Sequence, residues 1–562
     1  MSKVSEVEKI KINSRYLRGT LKESLDNSLT GSLYTDDQQL IKFHGIYQQD
    51  DRDRRKERAV KKLEKAFSFM LRLRVPGGRV TSTQMSNIFE VTEHNASGVV
   101  KITTRQTVQL HGVLKSKLRP TLSWFDKFDL DSIAACGDVN RNVVSTSNYL
   151  ESDAGKEAEA VYQEIIEFSR ETSRKFLPKT NAYREIWLDG KKIEEKEGGG
   201  VEPLYGQTYL PRKFKIAIAV PPYNDIDVYA NDIGLVAIVE NGELKGFNVL
   251  AGGGMGMTHG NPETYPRIGS DLGYVSKDKA FDVMEAIIKF QRDNGNREDR
   301  KKSRLKYTID KFGLKEFIKD VEKRSNISFE KSKEVELLHR EDFIGWRKDY
   351  KENWHYTFFI ENGRITDSEK HQEKTALKEI AALNVAEFQF TTNQNVTISD
   401  IKNEDKNKIE TILSKYGIIS HEKTLSKIRK NAIACVALNT CTLALAEAQR
   451  YMPSLITKIE KLLGNHNLLD ENISIRMTGC PNGCARPYLA EIAFVGSNLG
   501  QYNMYIGGDN LGLRLNQLYK TSLNEEQILT ELDGFFVEYA KQKSKWKNIG
   551  GFLHNKLTKT EN

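Results

Sequence analysis

The sequence lacks any apolar run long enough to cross a bilayer, and its mean hydropathy is negative. A membrane-spanning helix needs about 20 consecutive apolar residues, so no membrane segment is predicted. The first residues, MSKVSEVEKIKINSRY, are charged throughout and lack the apolar centre of a signal peptide. We therefore expect a cytoplasmic protein that has no membrane partner.

The chain also lacks any concentration of charge of one sign. Its net charge of +8 is the balance of 85 basic and 77 acidic residues, which mix in segments such as DDRDRRKER. Nucleic-acid-binding proteins gather basic residues in a stripe or tail, so no nucleic-acid partner is predicted. The glycine triplet at 252–254 has the spacing of neither a P-loop nor a dinucleotide-binding fingerprint.

Cysteine is scarce, with five residues in 562, but four of the five lie close together in the sequence. They form two local pairs, Cys435 with Cys441 and Cys480 with Cys484. Four thiolates brought together by two local pairs are the usual ligands of an iron–sulfur cubane. This pattern therefore predicts a 4Fe-4S cluster, and the fifth cysteine, Cys136, is expected to be a small buried residue.

Three other interpretations of the cysteines compete with the cluster. Disulfide bonds are disfavoured by the odd number of cysteines and by a length that provides a large core. A structural zinc site usually has C-x2-C pairs, whereas these pairs are C-x5-C and C-x3-C. Ordinary buried thiols would not explain why four of them cluster.

An internal repeat indicates that the chain consists of two related halves. GRVTSTQ (78–84) and KITTRQTVQL have counterparts in GRITDSE (363–369) and FQFTTNQNVTI. VNRNVVSTSN (139–148) likewise corresponds to IRKNAIACVALNTC (428–441), and LPRKFKIAIAV takes the place that RMTGCPNGC takes later. Only the second half keeps the cysteines, and the interface between such halves offers room for one large ligand.

The pattern of predicted strands and helices is that of an α+β protein. Residues 1–65 form an amino-terminal arm and a charged helix that continues to about Met70. The segment Lys101–Val113 alternates as one strand, with Arg105, Gln109 and His111 on its polar face.

Several motifs together resemble those of siroheme-containing sulfite reductase hemoproteins. The motifs are TGCPNGCARPYLAEIAFVG, ACVALNTC, DVNRNVVSTSN, GQTYLPRKFK and IKFHGIYQQDDRD. The resemblance extends from about Tyr16 to about Gly550. It implies two ferredoxin-like half-domains, at 66–135 and 336–420, that alternate with two α/β domains, at 136–335 and 421–562, around a central cofactor. It implies reduction of sulfite to sulfide in sulfur assimilation, a six-electron reaction at one siroheme that is coupled to a 4Fe-4S cluster.

The resemblance also implies roles for individual residues. The cluster ligands would be Cys435, Cys441, Cys480 and Cys484, and Cys484 would in addition bind the siroheme iron. The other implied positions are the substrate-binding and catalytic residues Arg72, Arg141, Lys213 and Lys215, and the siroheme-binding residues Arg105, Gln109, His111 and Asn482.

The chemistry of these residue types agrees with the implied roles. Siroheme carries many carboxylates and sulfite is an anion, so the site needs several fixed cations. Lys213 and Lys215 are two residues apart in a predicted alternating strand, so both would point to the same face. Neighbouring ammonium groups lower each other's proton affinity, which suits them to donate protons. The alternative is that these cations are ordinary solvated surface residues.

The electron donor must be a separate protein, because no flavin or nicotinamide fingerprint is present. The resemblance favours a diflavin NADPH reductase subunit, with a ferredoxin as the alternative. A nitrite reductase of the same architecture is the nearest competing function. A non-catalytic iron–sulfur electron-transfer protein is the competing class, although it leaves the arginine and lysine residues unexplained.

Overall fold

The computed structural model describes residues 4–147, 153–179, 187–188, 191–192 and 201–560. Asn148, the last residue of the predicted VNRNVVSTSN segment, lies outside the described residues. The strands within the described residues are β1 (Ile46–Asp50), β2 (Phe67–Arg72), β3 (Arg79–Thr81), β4 (Val100–Ile102), β5 (Val108–Val113), β6 (Val144–Ser145), β7 (Trp187–Leu188), β8 (Lys191–Lys192), β9 (Ile216–Ala219), β10 (Ile233–Glu240), β11 (Glu243–Ala251), β12 (Ser270–Ser276), β13 (Gly345–Lys348), β14 (Trp354–Phe358), β15 (Arg364–Ile365), β16 (Glu387–Phe390), β17 (Val396–Ile401), β18 (Ile433–Ala434), β19 (Ile475–Thr478), β20 (Ile492–Asn498), β21 (Gln501–Ile506) and β22 (Gln517–Leu523).

Helices alternate with these strands along the chain. They are α1 (Glu6–Asn13), α2 (Leu21–Asp26), α3 (Asp37–Leu40), α4 (Arg55–Val60), α5 (Ser82–Asn95), α6 (Leu118–Lys127), α7 (Asp153–Ala160), α8 (Tyr162–Lys175), α9 (Ala280–Asn294), α10 (Leu305–Phe312), α11 (Leu314–Ser325), α12 (Glu373–Leu383), α13 (Asn403–Lys415), α14 (Ile418–Lys423), α15 (Lys427–Lys430), α16 (Met452–Asn465), α17 (Glu525–Gln542) and α18 (Ile549–Thr560). Within the described part of the chain, none of the helices is long and apolar enough to cross a membrane.

The two ferredoxin-like sheets exchange an edge strand. The first sheet has the order β1-β2-β5-β4-β15 and the second has the order β13-β14-β17-β16-β3. Strand β15 therefore comes from the second half and completes the first sheet, while β3 does the reverse. Because of this exchange, the apolar faces of both sheets pack in one continuous core.

A pair of glycines makes the strand exchange possible. Gly78 and Gly363 precede β3 and β15, and both have positive φ angles, of 76° and 72°. A Cβ atom at Gly78 would lie 2.4 Å from the Phe390 carbonyl oxygen, and one at Gly363 would lie 2.5 Å from that of Ile102. Only glycine permits both this backbone conformation and this close approach.

The two α/β units carry equivalent sheets, β12-β11-β10-β9-β6 and β22-β21-β20-β19-β18. In each of them the last three strands in this order are parallel, whereas the other pairs are antiparallel. Each sheet contributes to a separate apolar core. These sheets and the ferredoxin-like pair confirm the predicted α+β class and the two-fold repeat, whereas the exact domain boundaries stay a prediction.

The strand register refines the predicted repeat. Ile216 pairs with Ile233 in the first half as Ile475 pairs with Ile492 in the second, so the two connections have equal length. The cysteine loop that follows β19 therefore corresponds to residues 221–225, which follow β9. It does not correspond to the LPRKFK stretch, which comes before β9.

Three sequence-based assignments of secondary structure were wrong. The helix expected to reach Met70 ends at Val60, and β2 follows it. The single strand expected over Lys101–Val113 is a hairpin, in which β4 and β5 are joined by a turn. Lys213 and Lys215 precede β9 instead of lying within it. The sequence pattern indicates the type of an element, but it does not show at which residue a turn ends or interrupts that element.

Candidate functional site

A cavity lies between the two halves, beside the cysteine loop. Its wall is rich in cations and backbone loops and contains little apolar surface. The lining residues are Thr104, Arg105, Lys213, Lys215, Ile226, Ala230, Asn231, Met255, Gly256, Arg304, Asn482, Gly483, Cys484 and Arg486. Five of the residues predicted from the sequence therefore face this cavity, namely Arg105, Lys213, Lys215, Asn482 and Cys484.

The sheet geometry brings the four cysteines together. Cys435 directly follows β18, and Cys480 and Cys484 lie in the loop after β19, the parallel neighbour of β18. Since the carboxyl ends of parallel strands meet at one edge of a sheet, these cysteines become neighbours. The Gly479 N–H donates to Cys435 Sγ at 3.4 Å, and Asn482 Nδ2 donates to Cys480 Sγ at 3.3 Å.

All the cysteines are free thiols in this structure. Burial raises the pKa of Cys441 to about 11, and the nearby Cys484 adds to this effect. Burial likewise raises the pKa of Cys435 and of Cys480. The thiols of Cys435, Cys441 and Cys480 therefore stay protonated at neutral pH until a metal displaces their protons.

The spacing of the sulfur atoms bears on the kind of metal centre. A tetrahedral zinc ion with Zn–S bonds of about 2.3 Å needs ligand atoms about 3.8 Å apart. Among the described residues, no three of these cysteines bring their sulfur atoms within 4.8 Å of one another. The sulfur atoms of the described cysteines are therefore not arranged as a tetrahedral zinc site in this structure.

Lys213 and Lys215 face the cavity without a partner among the described residues. Neither forms a hydrogen bond or an ion pair with them, and both side chains are half-buried. Burial lowers the pKa of each lysine well below its usual value; the Arg212 guanidinium adds to this effect at Lys213, and that of Arg105 adds to it at Lys215. An anion in the cavity would offset this desolvation and would favour the charged form.

Arg105 projects from the turn between β4 and β5. Its guanidinium donates to Asn231 Oδ1 at 2.8 Å, to the Asn142 carbonyl at 2.5 Å and to the Ile216 carbonyl at 3.2 Å. Its Nε atom is buried and has no hydrogen-bond partner. Burial and the neighbouring Arg141 lower the pKa of Arg105 to about 9. The side chain is thus fixed between the halves, and its Nε remains available to an acceptor.

Arg72 and Arg141 do not line this cavity, and they form a second group near Cys136. Arg72 Nη1 lies 3.1 Å from Cys136 Sγ. Arg141 donates through Nε and Nη2 to the Gly137 carbonyl, at 3.0 and 2.8 Å, and is nearly fully buried. Tyr47 lies beside both Arg141 and Cys136. It forms a hydrogen bond with Arg141, and Cys136 helps to raise its pKa.

Gln109 and His111 support Arg72 from the strand beside it. With its amide oxygen facing Arg72, Gln109 accepts hydrogen bonds from Arg72 Nε at 2.9 Å and from Nη2, and its amide nitrogen lies 3.2 Å from His111 Nε2. His111 Nδ1 lies 3.1 Å from Gln49 Oε1. Burial and the neighbouring Lys101 lower the pKa of His111 to about 3, so the imidazole is neutral at physiological pH.

The sequence analysis missed Asp227, which is fully buried beneath the cysteine loop. Its carboxylate accepts from Arg340 Nε at 2.7 Å, from Arg476 Nη1 at 2.5 Å and from Arg486 Nε. Although burial alone would raise the pKa of Asp227, these guanidinium groups hold it far below its usual range. Nothing in the sequence around Asp227 marks it, because its partners come from distant segments.

Arg304 and Lys306 were missed as well. Arg304 lines the cavity and pairs with Asp232 at 2.7 Å. Lys306 Nζ donates to the carbonyl oxygens of Gly254, at 3.1 Å, and Gly256, at 2.8 Å, and thereby fixes the glycine loop at the cavity wall. The contact between this loop and Lys306 joins segments about 50 residues apart, so no local sequence signal indicates it.

These residues fit the cofactors that the resemblance implies. Two partnerless lysines and an orphaned guanidinium Nε face one cavity, as expected for a ligand with several carboxylates. Cys484, the most exposed of the four clustered cysteines, lines the same cavity, so it is the cysteine that a ligand bound there would reach. The residues present therefore suit siroheme and a 4Fe-4S cluster.

Family models match three segments of the chain. The nitrite/sulfite reductase ferredoxin-like half domain matches residues 62–123 and 347–416. The nitrite and sulphite reductase 4Fe-4S domain matches residues 169–329. The latter segment belongs to the half that has no clustered cysteines, in agreement with a repeat in which both halves derive from one kind of unit.

Full-length relatives are also similar to this chain. Sulfite reductase [NADPH] hemoprotein beta-component from Leptospira biflexa is 56% identical over 549 residues, which is 97% of each chain. The proteins of the same name from Staphylococcus epidermidis and Shewanella loihica are both 49% identical, over 98% of this chain and over 94% and 96% of their own lengths. The structure of the Mycobacterium tuberculosis NirA protein has the same fold, with a TM-score of 0.75, 21% identity and coverage of 97% of this chain and 94% of that one.

Proposed function

This chain belongs to the family of sulfite reductase hemoprotein beta-components, and from that premise we propose that it reduces sulfite to sulfide with siroheme and a 4Fe-4S cluster. The observation that carries the proposal is the cavity in which Lys213, Lys215 and Arg105 face Cys484. Once bound, the siroheme and the cluster would pass to the substrate sulfur the six electrons that a separate donor provides. The chain supplies ligands, fixed positive charge and protons.

We propose that Cys435, Cys441, Cys480 and Cys484 hold the cluster and that Cys484 also binds the siroheme iron. A shared sulfur would couple the two redox centres directly. The Thr104 hydroxyl donates to the Cys484 carbonyl oxygen at 2.9 Å, and Arg486 Nη1 donates to the Thr104 carbonyl oxygen at 2.7 Å. These contacts tie the cysteine loop to the turn that carries Arg105.

Lys213 and Lys215 are proposed to donate protons to the oxygens that leave the substrate. Their lowered pKa values make proton release easy, and their shared location lets one lysine replenish the other. Arg72 and Arg141 are proposed to bind the anion, and Gln109 and His111 to hold Arg72 in place. Arg105 and Asn482 are proposed to contact siroheme.

We propose that the electron donor is a separate flavoprotein that oxidises NADPH, in keeping with the names of the relatives. The surface beside Cys441 suits an acidic donor. Arg52 Nη1 donates to the Cys441 carbonyl at 3.2 Å and so joins the charged α4 segment to the cluster loop. Leu443 is 64% exposed there. Lys56, in α4, and Lys62, in the turn after α4, form no ion pair with the described residues.

A cytoplasmic location and the domain boundaries given above also remain proposals. Nitrite is the competing substrate, because both matching family models cover nitrite and sulfite reductases. The test is to measure kcat/KM for sulfite and for nitrite with the siroheme-loaded chain and a chemical reductant. A higher value for sulfite, with sulfide as the product, is expected. A higher value for nitrite would overturn the assignment of the substrate.

A further inference from the structure

The two halves place different residues at one equivalent position, and these residues contact each other. Equal spacing from β9 to β10 and from β19 to β20 makes Asp227 the counterpart of Arg486. Both have left-handed backbone conformations, with φ angles of 50° and 53°, and each precedes a short 3-10 helix. The Asp227 carboxylate accepts from Arg486 Nε, so the pair lies where the two halves meet.

By the same correspondence, Asp225 is the counterpart of Cys484 in the cysteine-free half. Thr392 Oγ1 donates to the Asp225 carbonyl oxygen, as Thr104 Oγ1 donates to the Cys484 carbonyl oxygen. Arg486 spans both contacts, since its Nη1 donates to the Thr104 carbonyl at 2.7 Å and its Nη2 to the Thr392 carbonyl at 3.1 Å. One guanidinium therefore holds the cysteine loop against both ferredoxin-like turns.

Arg486 has one further contact besides its two carbonyl contacts. Its Nε bonds to the Asp227 carboxylate, which is itself fixed by Arg340 and Arg476. The carboxylate is fully buried, so water cannot replace it as an acceptor. The cysteine-free half thus supplies the only carboxylate that contacts Arg486 among the described residues.

We propose that Asp227 is a positioning residue that acts through Arg486 to hold Cys484 where it can contact the cluster and the siroheme at once. This inference rests on the proposed function, because it assumes that Cys484 joins the two cofactors. It assigns a role to the half that lost the cysteines, namely orienting the cysteine loop of the other half.

The test compares four variants of the chain, each co-produced with siroheme biosynthesis: Asp227→Asn, Arg486→Lys, the double variant and Glu8→Gln. Glu8 is the matched control, because it is also a buried carboxylate and pairs with Lys11 and, at 2.6 Å, with Arg297, on the amino-terminal helix. Iron content, the electron paramagnetic resonance spectrum and the midpoint potential of the cluster are measured for each.

Positioning and simple electrostatics give different results. Arg486→Lys keeps the charge but loses the forked contacts, so a positioning role predicts loss of the coupled siroheme–cluster spectrum there and in Asp227→Asn. The double variant should lose no more of the coupled spectrum than either single variant, because both substitutions disrupt the same contact between Asp227 and Arg486. Glu8→Gln should keep the coupled spectrum and only lower the melting temperature.

Coupled spectra in Asp227→Asn and Arg486→Lys that match the control would overturn the inference. A shifted midpoint potential in Asp227→Asn with coupling intact would also overturn it, because it would leave Asp227 only an electrostatic role. If Asp227→Asn does not fold, Arg486→Lys decides the question by the same criterion. Absence of siroheme or cluster in the unmodified chain would instead refute the proposed function.

Discussion

Replacing Lys215 with methionine tests the proposed division of roles in the cavity. The substitution keeps the length of the side chain but removes its charge and its proton. Lys215 has no partner among the described residues, and burial and Arg105 lower its pKa well below the usual value. We therefore expect Lys215→Met to improve the stability of the cofactor-free chain while it slows the reaction.

The two expected effects differ in sign and in size. A buried polar group without a partner costs about 1–3 kcal/mol, and Lys215 is only half-buried, so the gain in stability should be about 1 kcal/mol. A positioned proton donor contributes about 10²–10⁴-fold to a rate, so kcat for sulfite should fall by about 100-fold or more. Lys213 remains as a second donor, which favours the smaller of these losses.

The assay combines thermal unfolding of the cofactor-free chain with steady-state kinetics of the loaded chain. Siroheme content should not change, because Arg105, Arg304 and Lys213 still face the cavity. Lys289→Met, on the surface of α9, serves as the control and should alter neither measurement. Unchanged sulfite kinetics in Lys215→Met would remove this lysine from the proposed proton pathway.

Three further predictions follow from the same geometry. Cys484→Ser should abolish the coupled siroheme–cluster spectrum. The control Cys136→Ser should keep about five irons per chain in an iron assay. A coupled spectrum retained in Cys484→Ser would contradict the proposal that this cysteine binds both cofactors. Burial lowers the pKa of Lys101 to about 7, so between pH 7 and 10 the unfolded chain binds one more proton at this residue than the folded chain does. Lys101 should therefore make the free energy of unfolding rise by about 1.4 kcal/mol per pH unit in this range. Denaturant titrations at several pH values should show a smaller rise with pH for Lys101→Met, and an equal rise would contradict this pKa. Replacing both Lys56 and Lys62 with glutamate should raise KM for an acidic flavoprotein donor and leave activity with a small chemical reductant unchanged; an unchanged KM would place the donor elsewhere.

The repeat and the grouping of the four cysteines could be predicted from the sequence because both depend on local patterns. TTRQT and TTNQN mark equivalent turns, and the structure places Gln106 and Gln394 in both with positive φ angles. The cysteine pairs follow parallel neighbouring strands, so their proximity is a consequence of the α/β topology. The cations of the KFK motif likewise face the cavity, although the strand expected to carry them begins one residue later.

The sequence could not reveal interactions that join distant segments. Asp227 meets Arg340, Arg476 and Arg486 across more than one hundred residues, and each of these residues alone resembles an ordinary surface charge. The sequence also does not show that β3 and β15 are exchanged between the two sheets. Each strand follows a glycine turn, and a strand that paired within its own half would show the same local sequence. Both features result from tertiary packing, which periodicity does not encode.

The measurement that tests the central claim most directly is the product stoichiometry of the siroheme-loaded chain. The chain is supplied anaerobically with sulfite and a titrated chemical reductant, and the sulfide released is counted against the electrons consumed. The account predicts six electrons for each sulfide, with about five irons per chain, four of them in the cubane and one in the haem. Electron uptake by the loaded chain without release of sulfide would contradict it and would leave only an electron-transfer protein.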